Sequence, residues 1–357
     1  MRLKLSSLLV VQGVFTLLAG LSILHLNRNS MRLFVYKIFL VMAFFTASSC
    51  TSSADSRPSS WYDDNKKIKV LSTIAMIDDL VGRVGGDRID HKSLIAGEID
   101  PHSYEMVKGD DEKMASADLF LYNGLHLEHG ASLCYRIQKH PNAIGVGDYI
   151  LSQHPERILH SAQTIDPHVW MDISTWIYVV DPIVNALIAL DPEGASYYEK
   201  NAAELRQQMN ATHLKIVHLL QAVPEHQRYL VTSHDAFGYF AKRYLATEEE
   251  RLNGTWRKRF AAPEGLAPDG QLGARDIQGI IDHLVMYNIQ TVFAESNISK
   301  DSLKKIVSAS KEKKHHVNFS DSVLYGDAMG SYDHPISSYL EMIEQNALSL
   351  LKEWNNS

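Results

Sequence analysis

The sequence predicts an α/β protein of two lobes, each with a mainly parallel sheet flanked by helices, joined by one long helix. Short apolar segments rich in β-formers alternate with helical segments, which is typical of parallel sheets covered on both faces. The chain of 357 residues is too long for one small core, and about 150 residues per domain suggests two domains. A long amphipathic segment lies between the two halves, where a connecting helix is expected.

Residues 1–50 are predicted to be a signal or targeting segment. Residues 8–24 are almost wholly apolar, and a second unit begins at Met31 with the basic Arg32 and an apolar run over residues 38–47. The second unit has the charged head, apolar middle and small-residue end of a bacterial signal peptide. We expect translation to start at Met31. The alternative is a retained membrane helix at residues 8–24.

Cys50 stands where a lipoprotein signal places its acylated cysteine, directly after Ala47-Ser48-Ser49. Such signals usually carry Leu three residues before the cysteine, so cleavage near Ala47 with an unmodified Cys50 is the alternative. Both routes export the protein, either to the periplasm or to a lipid anchor on the outer side of the cytoplasmic membrane. Residues 51–60 cannot bury apolar area, and we expect a flexible tether over residues 51–65.

The composition argues against two classes of protein. The net charge is -7, and residues 1–50 contain basic side chains but no acid, so the remainder is more acidic still. This acidity argues against nucleic acid as a partner, because phosphate binding needs a basic patch. The chain has 2 cysteines, which excludes a disulfide-stapled framework.

Several short buried strands are predicted, with helices between them. The predicted strands cover residues 67–77, 119–122, 143–146, 229–232, 291–294 and 317–319. The clearest helical stretches cover residues 276–286 and 302–310. Residues 246–273 are polar and rich in Gly, Pro and charge, so we expect a long loop there. Ligands of such folds bind beyond the carboxyl ends of the strands.

The connecting helix begins after Asp191-Pro192-Glu193-Gly194, a turn and helix-start signal. A helix over residues 196–222 would extend roughly 40 Å, enough to cross a small domain. The alternative is an ordinary helix pair inside one domain. The apolar positions that share one helical face are Ala202, Leu205, Met209, Ile216, Leu220 and Val223. The predicted domains are an N-terminal lobe at residues 66–194, a linking helix at 195–224 and a C-terminal lobe at 225–357.

Two histidines follow the same dipeptide, in Asp100-Pro101-His102 and Asp166-Pro167-His168. Proline fixes φ and removes a backbone donor, so each His is presented from a stiff turn that its Asp can hold with hydrogen bonds. A metal-ligating imidazole benefits from that stiffness, because it must be aimed. Asp-Pro also occurs without a following His at residues 181–182 and 191–192, so an ordinary structural turn is the alternative for each copy.

His234 directly follows a predicted strand, at a carboxyl end where sites of this architecture lie. It stands between Ser233 and Asp235, but adjacent residues point to different sides and cannot form a catalytic relay with one another. A metal ligand and a buried structural histidine are the two alternatives.

Two acidic residues complete the set of candidates. Asp327 lies between Gly326 and Gly330, and glycine lets the backbone approach a site closely, although an Asx-turn is the alternative. Glu295 ends a predicted strand. Its three candidate roles are the acceptor that holds a ligand imidazole, a ligand itself, or a helix-start residue.

Six segments appear in one order along the chain. They are Asp-Pro-His-Ser-Tyr-Glu at 100–105, Leu-Tyr-Asn-Gly-Leu-His-Leu-Glu at 121–128, Asp-Pro-His-Val-Trp at 166–170, Ser-His-Asp-Ala-Phe-Gly-Tyr-Phe-Ala-Lys-Arg-Tyr at 233–244, Phe-Ala-Glu-Ser at 293–296 and Leu-Tyr-Gly-Asp-Ala-Met-Gly at 324–330. In these segments the chain resembles the metal-binding solute receptors of bacterial ABC importers, the family that handles manganese, zinc and iron. The resemblance covers nearly the whole chain after the signal.

The resemblance implies two α/β lobes joined by one rigid helix, with the metal site in the cleft between the lobes. Carried over by motif, His102 and His168 are metal ligands from the N-terminal lobe, and His234 and Asp327 are ligands from the C-terminal lobe. It also implies a monomer, without enzymatic activity, that captures one metal ion and delivers it to an ABC permease of the inner membrane.

Three imidazoles and one carboxylate suit a borderline divalent cation such as manganese, iron(II), zinc or cobalt. They do not suit calcium or magnesium, which prefer oxygen ligands. Zinc-dedicated members of the family often carry a loop rich in His and acids, whereas this chain has only His315-His316. Manganese or iron is therefore favoured, and zinc stays open.

Two other functions are alternatives to this one. A zinc-dependent hydrolase needs an open coordination position and a general base, for which Glu295 is the candidate. A surface adhesin would hold the metal only as a structural element, and adhesion and metal binding are not exclusive.

Overall fold

The computed structural model describes residues 61–62, 65–161, 164–267, 273–329 and 336–355. The predicted signal segment, the start at Met31 and the lipid on Cys50 lie outside these residues. Trp61 belongs to the segment predicted as a tether, but its side chain is 5% exposed and shares an apolar cluster with Leu71 and Phe120. The described part of that segment therefore includes a buried aromatic side chain.

The first lobe contains a parallel sheet of four strands in the order β2-β1-β3-β4. The strands are Ile68–Ile74 (β1), Ile89–Ile95 (β2), Leu119–Tyr122 (β3) and Ala143–Gly145 (β4). The predicted first strand was too long, because helical spacing of buried apolar residues starts at Met76 and ends β1 at Ile74. Sequence analysis missed β2, because polar side chains occupy its middle and weaken the apolar signal. A short antiparallel pair, His160–Ser161 (β5) and Thr164–Ile165 (β6), precedes the His168 loop.

The second lobe contains shorter parallel pairs. Leu230–Val231 (β7) pairs with Phe260–Ala261 (β8), and Thr291–Val292 (β9) pairs with Asn318–Phe319 (β10). The Phe293 N–H donates to the Val231 carbonyl at 2.9 Å and joins the pairs in the order β8-β7-β9-β10. The predicted strands are therefore present but shorter than expected.

The helices lie between the strands and after them. They are Ala75–Gly85 (α1), Asp110–Ala115 (α2), Ala131–Lys139 (α3), Val146–Gln153 (α4), Ile173–Trp176 (α5), Val180–Leu190 (α6), Ala195–Gln221 (α7), Gly238–Phe240 (α8), Glu248–Asn253 (α9), Ala274–Met286 (α10), Asp301–Glu312 (α11) and Tyr339–Asn355 (α12). The stretch Ile173–Leu190 is apolar enough to span a membrane by length and composition, but half of it is buried inside the protein, as in a core helix.

The prediction of a long loop over residues 246–273 was wrong in its first half. Helix α9, a short 3-10 helix at Thr255–Arg259 and strand β8 occupy it. Thr247 caps α9, with its Oγ1 accepting the Glu250 N–H at 3.2 Å while the Glu250 carboxylate accepts the Thr247 N–H at 2.9 Å. This reciprocal cap stabilises a helix that charge-rich composition alone does not indicate.

The long connecting helix is observed as α7, a single helix of 27 residues. Its buried residues recur every three or four positions, which keeps them on one face. They are Tyr198, Ala202, Leu205, Met209, His213, Ile216 and Leu220. This face packs against α1 and α6 and also against α12. One helix therefore contributes to the core on both sides of the site described next.

Candidate metal centre

Four side chains from distant parts of the chain converge at one point. One ligand atom each from His102, His168, His234 and Asp327 lies within 4.8 Å of the other three. The His102 and His168 Nε2 atoms are 3.1 Å apart, and the Asp327 carboxylate lies 2.9 Å from His234 Nε2 and 3.3 Å from His168 Nε2. The structure thus brings together the four residues predicted as ligands.

The two Asp-Pro-His turns position their histidines in the way the sequence indicates. The Asp100 carboxylate accepts the His102 backbone N–H at 2.8 Å, and the Asp166 carboxylate accepts the His168 N–H at 3.0 Å. Each Asp thus closes a turn around its proline, and each imidazole leaves from a fixed backbone position. This arrangement supports the ligand interpretation of both copies.

The other two proposed ligands, His234 and Asp327, lie beyond the carboxyl ends of strands in the second lobe. His234 follows β7 and forms a parallel bridge with Glu264, while Glu295 follows β9 and forms a parallel bridge with Leu324. Asp327 comes three residues after Leu324. The site therefore lies in the crevice beyond the carboxyl ends of the parallel strands, where ligands of α/β folds bind.

Carboxylate oxygens lie behind two of the three imidazoles. The Asp166 carboxylate contacts His168 Nδ1 at 2.8 Å. The Glu295 carboxylate accepts the His234 backbone N–H at 2.9 Å, and its other oxygen lies 2.6 Å from His234 Nδ1 as an ion-pair contact without hydrogen-bond alignment. This contact leaves Nε2 of each ring for a ligand. Of the three candidate roles for Glu295, the geometry supports the acceptor that orients an imidazole.

The third imidazole differs from these two. His102 is 4% exposed, yet its Nδ1 has no hydrogen-bond partner among the described residues. Its ring is therefore held by the Asp100 turn and by packing, without a carboxylate behind it.

Glycine before Asp327 allows a close approach. A Cβ on Gly326 would lie 2.5 Å from the Glu295 Oε2 atom, so the Glu295 side chain would have to move away from its position behind His234. The missing side chain lets the Asp327 loop approach Glu295 and His234, as the sequence analysis expected of a flanking glycine. The second flanking glycine, Gly330, lies outside the described residues.

The electrostatics of the cluster favour an ionised carboxylate beside the imidazoles. Burial disfavours the charge on Asp327, but His234 and His168 outweigh it and hold the pKa of Asp327 well below its ordinary range. Burial lowers the pKa of His102 to about 3. Burial acts in the same direction on His168, but the charge of Asp327 and the hydrogen bond to Asp166 outweigh it and raise the pKa of His168 to about 9.

The donor set fits a borderline divalent cation. All four residues are buried, with exposed fractions of 0 to 4%. In the described part of the chain, His234 Nε2 and both Asp327 carboxylate oxygens make no hydrogen bond of good geometry. Buried polar atoms without partners are costly, and a cation with nitrogen and oxygen ligands would satisfy all of them at once.

Comparison with known proteins identifies the family of the chain. The family model of ZnuA, the periplasmic component A of a zinc-uptake complex, matches residues 70–353. The chain belongs to the ZnuA family. Metal-binding protein YtgA of Chlamydia trachomatis is 37% identical over 309 residues, which cover 87% of this chain and 91% of YtgA. Manganese-binding lipoprotein MntA of Bacillus subtilis is 31% identical over 317 residues, which cover 88% of this chain and 96% of MntA.

A solved structure of the ZnuA family confirms the predicted fold class. The crystal structure of Fe(III)-bound YtgA from Chlamydia trachomatis matches with a TM-score of 0.76 at 38% identity, covering 81% of this chain and 98% of that one. The parallel sheets flanked by helices and the single long helix are the features that the sequence predicted. The ZnuA family supplies components of metal-uptake complexes, which is not a class of enzymes.

Sequence reasoning missed two contributions to the site of this ZnuA-family chain. Trp170 links the His168 loop to the Asp327 loop, and its position in the Asp-Pro-His-Val-Trp motif was the available signal. His126 and His129, which lie close to Glu128 in the sequence, are both exposed. However, they line the same cavity as His102, which spacing in the sequence does not indicate.

Proposed function

We propose that this ZnuA-family chain captures one divalent transition-metal ion outside the cytoplasmic membrane and delivers it to an ABC permease. The ion would be bound by His102, His168, His234 and Asp327. The observation that carries the proposal is the convergence of these four buried donors, two from each half of the chain, on one point. A lone structural histidine or an Asx-turn does not explain why all four meet.

Manganese or iron is the favoured cargo, and zinc also fits the ligands. The relatives differ in the metal they are named for, since MntA is a manganese-binding lipoprotein and YtgA was crystallised with Fe(III). The same nitrogen and oxygen ligands bind zinc more tightly than manganese or iron(II) by the usual affinity order. Selection would then depend on geometry and on which metal is supplied.

The position of the ligands provides a means of holding and releasing the ion. Because two ligands precede the long helix α7 and two follow it, a relative movement of the lobes would separate the two pairs. The 27-residue helix packs on elements of both sides and would keep that movement small. Neutral imidazoles and an ionised Asp327 are the forms that bind metal.

We further propose that the chain acts as a monomer in the periplasm or anchored to the outer face of the cytoplasmic membrane through a lipid on Cys50. The lobe boundaries at residues 66–194 and 225–357 belong to the same proposal. MntA is a lipoprotein, which supports the anchored form. Mass analysis of the mature N-terminus tests both the start at Met31 and the lipid.

The alternatives receive less support from the geometry. A hydrolase needs a general base facing a metal-bound water. Glu295 instead contacts the backbone N–H and Nδ1 of His234, on the side of the ring away from Nε2. A surface adhesin would not require all four donors to be buried.

The decisive experiment is competitive metal loading. Purified mature protein is stripped with a chelator, dialysed against equal concentrations of Mn²⁺, Fe²⁺ and Zn²⁺ without oxygen, and analysed for bound elements. We expect one ion per chain, and none in His168→Ala under the same conditions. His218→Ala, which changes an exposed histidine of α7, should keep one ion. One ion retained by His168→Ala would refute the proposal.

Delivery to the permease is tested by metal uptake in cells. We expect the parent chain to restore uptake and His168→Ala to fail to restore it.

A further inference from the structure

A surface cavity borders the metal centre at His102. It has a volume of about 320 Å³, and its lining includes His102, His126, His129 and Asp235. Of the four proposed ligands, His102 alone lines this cavity in the part of the chain that the structure describes. An ion that enters this cavity from solvent would therefore meet His102 before the other three proposed ligands.

His126 and His129, at the mouth of this cavity, are exposed and held in fixed positions. Their loop follows β3, where the Glu128 carboxylate accepts the backbone N–H groups of Asn123 and Gly124 at 2.8 and 3.0 Å. His126 has a φ of 64°, in the left-handed region that side chains other than glycine rarely adopt. The loop thus presents His126 and His129 to solvent from a backbone that a buried carboxylate holds.

His129 lies as close to His102 as the proposed ligands lie to one another. The ring centroids of His102 and His129 are 5.8 Å apart. The three ligand imidazoles are separated from each other by centroid distances of 5.2, 5.4 and 6.2 Å. Two imidazoles at such a distance can share one cation, because each ring nitrogen binds a transition metal at about 2.0–2.1 Å.

His102 also has the properties of a ligand that can bind the ion both at the mouth of the cavity and in the buried centre. Its Nδ1 is buried and lacks a hydrogen-bond partner among the described residues. By contrast, Asp166 contacts Nδ1 of His168 at 2.8 Å, and a Glu295 oxygen lies 2.6 Å from Nδ1 of His234. The ring of His102 can therefore turn towards the mouth without losing a carboxylate contact at Nδ1.

We propose that His129 and His102 form a capture site at the mouth, where the cation binds transiently before it moves into the buried centre. His126 adds a second exposed imidazole to this mouth. The exposed ring of His129 replaces water on the incoming ion before the ion loses the rest of its hydration shell inside. The inference rests on the proposed function, since it concerns the route to that centre.

Such a site changes rates and leaves the final affinity unaltered. An intermediate on the binding route lowers the barrier in both directions, so its loss slows association and release by the same factor. Trp170, whose ring centroid lies 5.3 Å from that of His168, is a fluorescent reporter beside the centre. Stopped-flow fluorescence with Zn²⁺ and with Mn²⁺ measures association, and chelator chase measures release.

We expect His129→Ala to slow association and release together by about tenfold and to change Kd by less than about twofold. His129→Asp, which retains a metal-binding side chain, should restore most of the rate. His126→Asn, which tolerates the left-handed backbone, should show a smaller slowing. His218→Ala is the matched control and should be as fast as the parent protein.

An association rate of His129→Ala within about twofold of the parent would overturn the capture site. So would a His129→Asp variant as slow as His129→Ala, because the effect would then not depend on coordination. A parent protein that binds no ion would instead refute the proposed function, so the two failures are distinguishable.

Discussion

Trp170 donates its indole N–H to the backbone carbonyl of Gly326 at 2.9 Å. Trp170 lies two residues after His168, and Gly326 directly precedes Asp327, so this bond joins a ligand loop of the first half to a ligand loop of the second. The Tyr339 hydroxyl donates in turn to the Trp170 carbonyl at 2.6 Å. The relative position of His168 and Asp327 therefore depends on a buried hydrogen-bond chain as well as on an ion.

Trp170→Phe tests this link. The substitution keeps an aromatic ring but removes the donor to Gly326, and a buried hydrogen bond contributes about 1 kcal/mol, or roughly a fivefold change in affinity. We expect metal affinity, measured by chelator competition, to fall by about that factor. Trp176→Phe is a matched control, because the buried Trp176 Nε1 has no hydrogen-bond partner among the described residues. Equal losses of affinity in both variants would contradict the role of the link.

Asp166→Ala tests the carboxylate behind His168. Asp166 holds both the backbone N–H and Nδ1 of His168, and losing such a partner typically lowers metal affinity by about 10- to 100-fold. Titration calorimetry measures the loss. Asp181 also precedes a proline but pairs with Arg206 outside the site, so Asp181→Ala should bind as the parent does. Unchanged metal affinity of Asp166→Ala would count against the proposal that Asp166 orients the imidazole of His168.

Glu295→Gln separates the transport proposal from the hydrolase alternative. The amide still accepts the His234 N–H but loses the charge beside Nδ1. We therefore expect weaker metal binding, by about tenfold, with no ester or peptide turnover before or after the change. The exposed Glu312→Gln serves as the control. Measurable turnover by the parent protein that Glu295→Gln abolishes would favour the hydrolase.

The buried ion pair between Glu250 and Arg259 predicts a pH-dependent stability. Arg259 Nε and Nη2 donate to the Glu250 carboxylate at 2.8 and 2.7 Å. Burial disfavours that carboxylate, but the hydrogen bonds from Arg259 and Lys258 outweigh this and lower the pKa of Glu250 to about 2. An unfolded glutamate has a pKa of about 4.3. The stabilisation is thus fully present above that value and is lost as the pH falls through about 2.

Glu250→Gln should accordingly lower the free energy of unfolding by about 3 kcal/mol at neutral pH, since it leaves the buried Arg259 partly uncompensated. The difference from the parent should narrow between about pH 4 and pH 2 in urea titrations. Glu248→Gln removes a charge whose side chain is 78% exposed, and its effect should stay within about 0.5 kcal/mol at every pH. If the difference in the free energy of unfolding between Glu250→Gln and the parent widened as the pH falls, the stabilising role of the Glu250–Arg259 pair would be refuted.

Local sequence patterns predicted the elements whose apolar residues recur at regular helical or strand spacing. The long helix was expected over residues 196–222 and is observed at Ala195–Gln221, because seven buried side chains recur at helical spacing. β3 was predicted with its observed bounds. Strand β2 and helix α9 were missed. The first has a polar middle. The second begins with a local capping box, Thr247 to Glu250, but it lies in a polar, charge-rich segment whose composition indicated a loop.

The candidate site was accessible from sequence only through motifs. Each Asp-Pro-His turn showed how its imidazole is presented, but no local signal shows that His102, His168, His234 and Asp327 meet. Their convergence depends on sheet order and on the packing of both halves against one helix. For the same reason the sequence did not show that His129 lies beside His102.

The most direct test of the central claim is an anomalous-scattering crystal structure of the metal-loaded protein. Data collected on both sides of the absorption edge of Mn or Zn locate the ion without reference to the protein. We predict one strong peak bound by the Nε2 atoms of His102, His168 and His234 and by the Asp327 carboxylate, at about 2.0–2.3 Å. A peak elsewhere, or an ion that leaves two or more of these side chains unbound, would contradict the account.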